Sequence, residues 1–336
     1  MAHSPKSGLQ GFGGSNSVEI FFVLSGFYIA LILDKTYSTP LGFYKNRILR
    51  LFPIYYIICV LVLIQAVCFS EIRESRFDFP AKALFFGTIA NVTLIGSDWL
   101  MFMQWRGDNL HFGSFWNSEL PLHHMLLVPQ SWSIGIELAF YLFAPILCRV
   151  KTFTLIPILM TLLVSRFVGF ILGLSIDPWT YRFFPFELPM FLIGILLYRF
   201  KSRRGTNYKI DWFKIQLLVL TFYLGFSFIT NRYNVNRFWQ MLALLILICI
   251  VVIWGEENSK DKKVGELSYP IYMSHLLVIS SYQGLIIILS GVFPNVEVLK
   301  DPRLSITSTL IITFVVSHLL LKIVRPFEEM RNRNRY

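Results

Sequence analysis

The chain has 336 residues, of which 55% are hydrophobic and only 15% charged, and its formal net charge is +11. Soluble domains carry roughly 25% charged residues, so a chain this apolar cannot shield its side chains from water and needs lipid around it. The basic excess does not indicate nucleic acid, because Lys and Arg sit in short loops between apolar runs rather than along one stripe.

A helix that crosses a bilayer needs about 20 mostly apolar residues. Runs of that size fall at about 18–33, 48–69, 132–149, 152–174, 184–200, 213–230, 237–254, 268–290 and 304–324. They predict an all-α fold: a polytopic transmembrane bundle of about nine to ten helices, one domain over 1–336, with 325–336 as a basic cytoplasmic tail. Basic corners between runs orient the spans. Lys35, Lys45, Arg47 and Arg50 form the first, and Arg149 with Lys151 the second. Arg199 to Lys209, Lys260 to Lys263 and Lys322 to Arg335 complete the set. The positive-inside bias puts all of them, and the C-terminus, on the cytoplasmic side of the plasma membrane. Parity then requires 71–130 to cross an even number of times. The short run at 81–96, which holds Lys82 and Asn91, is either re-entrant or interfacial, or pairs with a second weak segment in 98–128. Both options stay open.

Cys59, Cys68, Cys148 and Cys249 lie in or at the ends of apolar runs without metal-ligand spacing. They read as packing residues, and no metal site is expected.

Five segments place polar groups where they are costly. His3, followed by the Gly-rich stretch Gly8 to Gly14, reads by itself as a solvated terminus. In Phe21 to Phe27, Ser25-Gly26 would let another helix approach closely. Arg47 and Arg50 are three apart and share a helix face just before Tyr55. They read either as snorkelling arginines or as an anion clamp, since guanidinium forks suit the phosphates of an acyl-CoA. In Trp132 to Tyr141, Ser133, Glu137 and Tyr141 recur every four residues on one face. A carboxylate inside a span faces the bundle interior, as part of an ion pair or of a site. In Ser268 to His275, Ser268, Tyr272 and His275 share one face, beside Tyr269 and Pro270. His275 reads as a packing residue or as a base.

Taken together and in this order, these segments resemble the acyltransferase-3 family of integral membrane acyltransferases. FFVLSGF at 21–27 is similar to the family's second-helix signature, and RILRLFPIY at 47–55 to its R-x-x-R run with a P-x-Y element. WSIGIELAFY at 132–141, LPMFLIG at 188–194 and GELSYPIYMSH at 265–275 resemble three later motifs. The resemblance covers nearly the whole chain. It implies ten or so helices and transfer of an acyl group, commonly acetyl from acetyl-CoA, to a cell-surface or secreted carbohydrate or glycolipid. It also implies a key His near the first helix, with an Arg about ten positions earlier. His3 stands in the right relation to FFVLSGF, but only two residues precede it. The chain is therefore expected to be an N-terminally truncated member. Near the C-terminus the family often carries an acidic residue two positions before a Pro, where this chain has Val324 before Pro326.

On this reading acyl-CoA is a co-substrate held by Arg47 and Arg50, with no permanently bound cofactor. His3 is the base that the resemblance implies, and His275 is the reserve. Glu137 and Tyr141 orient a His or the acceptor. Two other readings compete. One is a transporter or flippase with Glu137 and His275 as a proton relay, against which stands the lack of two similar halves. The other is an inactive truncated family member.

Overall fold

Apolar stretches punctuated by Pro, Gly and basic corners fold as helices, because a helix satisfies its own backbone where no water can. The computed structural model describes residues 13–37, 39–69, 79–113, 120–204, 237–254, 259–290 and 298–333, together with Leu217–Val219, Thr221, Phe222, Gly225, Phe226, Ile229 and Phe293. The helices are α1 (Gly13–Lys35), α2 (Pro40–Cys68), α3 (Ala81–Thr93), α4 (Trp132–Leu147), α5 (Thr152–Ile171), α6 (Phe184–Arg204), α7 (Arg237–Trp254), α8 (Ser259–Ser290) and α9 (Pro302–Arg333). The described strands are β1 (Met103–Arg106) and β2 (Asn109–Phe112), which form one antiparallel hairpin. The protein is an all-α, multi-pass membrane protein. Among the described helices, α1, α2, α5, α8 and α9 are long and apolar enough to cross a bilayer. Most of the run at 213–230 lies outside the described residues. Residues 325–333, read above as a tail, continue α9 through Pro326.

The described chain divides into two compact units, each drawn from separated stretches of sequence. The first holds α1, α5, α6 and α7. Its closest crossing joins α1 to α6. A Cβ on Gly26 would collide with the backbone carbonyl of Phe191, and one on Gly194 with that of Val23. FFVLSGF and LPMFLIG are thus the two sides of one helix contact, made possible by a missing side chain on each. Phe22 stacks on Phe191 beside it, with ring centres 4.8 Å apart.

The second unit holds α2, α3, the hairpin, most of α4, α8 and α9. The helix α2 starts on Thr39, whose hydroxyl accepts from the Gly42 N–H at 3.3 Å, with Pro40 in the first turn. Its partner α3 has 13 residues, about 20 Å of helix, too short for a hydrocarbon layer of about 30 Å. Tyr55 and Tyr56, midway along α2, donate to the carbonyls of Asn91 and Val92 at the end of α3, at 2.9 and 2.5 Å. Between residues 98 and 128 the described chain forms short 3-10 turns and the hairpin, with no second helix. Of the two options for 81–96, this geometry matches the first, a re-entrant or interfacial segment, since no second spanning helix stands among the described residues of 98–128.

Where α3 stops, Leu94 takes a left-handed conformation at φ 60°. The Asn91 side chain takes over the role of the ended helix. Its amide donates to the carbonyls of Gly87 and Met125, both at 2.8 Å, and its oxygen accepts from Leu127 N–H at 2.8 Å. Irregular backbone is thereby satisfied by protein instead of water.

Candidate active site

Three helices of the second unit carry the polar motifs, and side chains stitch each to the other two. Between α2 and α4, Arg47 lies against two aromatic rings. Its guanidinium carbon is 5.7 Å from the centre of Phe43 and 5.8 Å from that of Tyr141. The Tyr141 hydroxyl donates to a carboxylate oxygen of Glu137, one turn earlier on α4. Between α4 and α8, the hydroxyls of Ser133 and Tyr272 are 2.7 Å apart, and both reach the Gln130 carbonyl. The Gln130 amide donates to Met273 and Tyr272 carbonyls at 2.8 and 3.3 Å. Between α8 and α2, buried Tyr269 donates to the Leu51 carbonyl at 2.8 Å. Farther along the same pair of helices, the Gln65 amide reaches the Ser280 and Ser281 hydroxyls at 2.7 and 2.8 Å.

Arg47 is 6% exposed. Burying a guanidinium costs several kcal/mol unless it is paired. What answers it here is limited. Asn46 Oδ1 accepts at 3.0 Å, and each ring face contributes on the order of 0.5–2 kcal/mol. Among the described residues no carboxylate forms an ion pair with it, and its buried Nε–H finds no acceptor. The site is a cation seat whose anion is not supplied by these residues.

His275 is half-buried on α8, its ring centre 5.8 Å from that of Tyr272. Its Nδ1 is 2.7 Å from the Tyr272 carbonyl. A carbonyl only accepts, so Nδ1 is the donor in this contact.

The residues singled out by sequence separate into groups. Arg47, Glu137 and Tyr141 converge, as do Ser133 and Tyr272. Arg50 is exposed, unlike Arg47, but lies close enough to Arg47, Tyr141 and Tyr269 to act on them electrostatically. Ser268 is exposed, while Tyr272 and His275 on the same face are half-buried. Trp132 is buried. Tyr55 serves the α2–α3 contact. Ser25 and Gly26 belong to the first unit, at its helix crossing. His3 lies outside the described residues.

Sequence reasoning passed over Asn46, Gln65 and Gln130, and also a buried cluster in the first unit. There Arg166 on α5 pairs with Glu19 on α1 and, at 3.4 Å, with Glu187 on α6. It also donates to the Phe186 and Thr180 carbonyls at 3.0 and 2.9 Å. Glu19, Gln65, Arg166 and Glu187 each interrupt an apolar run, a signal the sequence does carry, whereas Asn46 and Gln130 lie just outside such runs.

Residues 2–322 match the family described as the acyltransferase domain. Among curated proteins, the chain is 33% identical over 140 residues to the peptidoglycan O-acetyltransferase OatA of Listeria monocytogenes, which covers 40% of this chain and 19% of OatA. It is 25% identical over 308 residues to a Staphylococcus aureus protein provisionally named an O-acetyltransferase, covering 80% of this chain and 46% of that protein. It is 28% identical over 157 residues to an uncharacterized Aquifex aeolicus protein, covering 45% of this chain and 69% of the relative. The chain thus spans less than half the length of both named O-acetyltransferases. No solved structure matches it.

Proposed function

The chain belongs to the acyltransferase-3 family, and on that premise we propose that it is a membrane O-acyltransferase. It moves an acetyl group from acetyl-CoA to a hydroxyl of a cell-surface or secreted carbohydrate. The observation that carries this reading is the incomplete seat at Arg47. A buried guanidinium, backed by Phe43 and Tyr141 and lacking a carboxylate partner among the described residues, suits an anionic group of the donor. The phosphates of coenzyme A supply such a group, and Arg47 lies in the first two turns of α2, at the end that the charge pattern assigns to the cytoplasm.

In the reaction the acceptor hydroxyl oxygen attacks the thioester carbonyl carbon. A C–O bond forms, the C–S bond breaks, and the hydroxyl proton passes through a base to the departing thiolate. His275, its ring oriented by the contact of Nδ1 with the Tyr272 carbonyl, is one base to be tested for that proton. His3, to which the family resemblance points, is the other base to be tested. Glu137 and Tyr141 fix the wall against which Arg47 packs. The donor enters from the cytoplasmic face and the acceptor from the opposite one.

Membranes containing the full chain, incubated with radiolabelled acetyl-CoA, test this reading. Label is expected in a carbohydrate fraction, and loss of that label in Arg47→Ala at normal protein level. Solute uptake into proteoliposomes without any acetyl transfer would overturn it in favour of transport.

A further inference from the structure

The buried stripe of α2 runs through Phe43, Asn46, Arg47, Leu51 and Ile54. Asn46 is a costly choice for that stripe. It is 1% exposed, its short amide favours caps and turns over helix interiors, and burying an amide costs free energy unless its atoms are answered. Two bonds answer it. Arg47 only donates, so the amide oxygen faces it, and Oδ1 accepts from Arg47 Nη2 at 3.0 Å. The Asn46 Nδ2 donates to the carbonyl of Arg331, near the end of α9, at 3.5 Å. That second bond is at the long limit and contributes little. The bond to Arg47 is the one that accounts for an amide at this position.

Charge decides what that bond does. The Phe43 and Tyr141 rings back the Arg47 guanidinium, and Arg50 adds a like charge nearby. Glu137 reaches Arg47 through Tyr141 and not by an ion pair. Asp has the same shape as Asn. A carboxylate at position 46 would keep an oxygen on Arg47 Nη2 and would form a buried ion pair with it, cancelling the charge. The Asn46 amide holds the guanidinium in the same place and leaves the charge uncancelled.

We propose that Asn46 is a specificity-determining residue of the donor seat. As a neutral acceptor it orients Arg47 toward a phosphate of the donor, and it keeps an internal carboxylate from competing with that phosphate. Selection then comes from what the seat withholds as well as from what it offers. A donor without phosphate leaves a buried cation with no counter-charge, whereas the phosphates of coenzyme A supply one. The proposal rests on the acetyl-CoA reading above and adds the residue that makes the Arg47 seat selective.

Two measurements on the purified full chain in nanodiscs test this without requiring turnover: calorimetric binding of coenzyme A, and melting temperature in its absence. Asn46→Asp is expected to bind coenzyme A about 10- to 100-fold more weakly, as for loss of one hydrogen bond between charged groups. It should melt no lower than the unaltered chain, because the new carboxylate answers Arg47. Asn46→Ala removes the acceptor and adds no charge. It should melt lower than Asn46→Asp and yet bind coenzyme A more tightly than Asn46→Asp does. Affinity and stability thus rank the two variants in opposite orders, whereas an amide that only supports packing would move both together. Failure of Asn46→Asp to fold, or melting below Asn46→Ala, would overturn the proposal. Equal binding by Asn46→Asp and the unaltered chain would remove the role of Asn46 and leave the donor reading standing. No binding of coenzyme A by the unaltered chain would sink the donor reading and this proposal with it.

Discussion

Arg47 and Tyr141 meet across two helices, the guanidinium carbon 5.8 Å from the centre of the phenol ring. Because the hydroxyl of that ring donates to Glu137, one side chain presents a face to a cation and a proton to a carboxylate. The arrangement separates two contributions that substitutions can distinguish.

Tyr141→Phe keeps the face for Arg47 and removes the bond to Glu137. A hydrogen bond to a charged group contributes about 1.5–3 kcal/mol, so acetyl transfer should fall about 10- to 100-fold. The KM for acetyl-CoA should change little, since the Arg47 seat survives. Arg47→Lys should instead raise that KM, because an ammonium lacks the planar fork. Steady-state kinetics in membranes read both effects. Equal changes in KM and kcat for the two variants would show that the Arg47–Tyr141–Glu137 row acts only as scaffold.

Gly26→Ala and Gly194→Ala test the α1–α6 crossing. Each places a methyl group against backbone of the opposing helix, and backbone yields less readily than a flexible side chain. Overpacking of this kind costs about 1–3 kcal/mol. Both variants should unfold at lower temperature in detergent, and Gly173→Ala, with open space around it but φ at 94°, serves as a backbone-strain comparison. Wild-type melting in Gly26→Ala and Gly194→Ala would mean the helices are not in close contact there.

Much of this architecture is legible in the order of residues alone. Apolar run length marks the helices, and the four-residue spacing of Ser133, Glu137 and Tyr141 places one row facing neighbouring helices. Spacing alone does not separate Arg47 from Arg50. Residues three apart differ by about 60° around a helix, enough for one to be buried and the other exposed. Nor does composition reveal how the chain continues after α3 ends, because that depends on Asn91 bonding backbone more than 30 residues away. Glu19, Arg166 and Glu187 are far apart in sequence, and only the packing of α1, α5 and α6 joins them.

That cluster sets one guanidinium between two carboxylates, with side-chain exposures of 11%, 1% and 0% for Arg166, Glu19 and Glu187. Removing one member of a buried ion pair is expected to cost about 3–5 kcal/mol. Arg166→Met takes away the cation that both carboxylates face, and should reduce folded yield more than any other single change here. Glu187→Gln should be milder, because the Glu19 pair survives. Fluorescence-detected size exclusion of the detergent-solubilised variants gives the order. A Glu187→Gln protein less stable than Arg166→Met would reverse the assignment of Arg166 as the hub.

Asp98 makes a prediction about pH. It lies in the irregular segment after α3 and is 5% exposed. It owes its position to Gly135, since a Cβ there would sit 2.9 Å from Asp98 Oδ1. Burial pushes its carboxyl up to about 6, against a weaker opposite pull from the backbone N–H groups of Asp98 and Trp99. The unfolded chain releases this proton near pH 4. The folded form therefore holds the proton more tightly. The stability this confers is complete below about pH 4 and is lost as pH rises through about 6. Melting temperature in detergent should fall between about pH 4 and pH 6.5. Asp98→Asn, neutral at every pH, should abolish most of that fall and be more stable at pH 7.5 by on the order of 2–3 kcal/mol. A fall of the same size in Asp98→Asn would assign the pH dependence to other groups, and would mean that Asp98 ionises as an exposed carboxylate does.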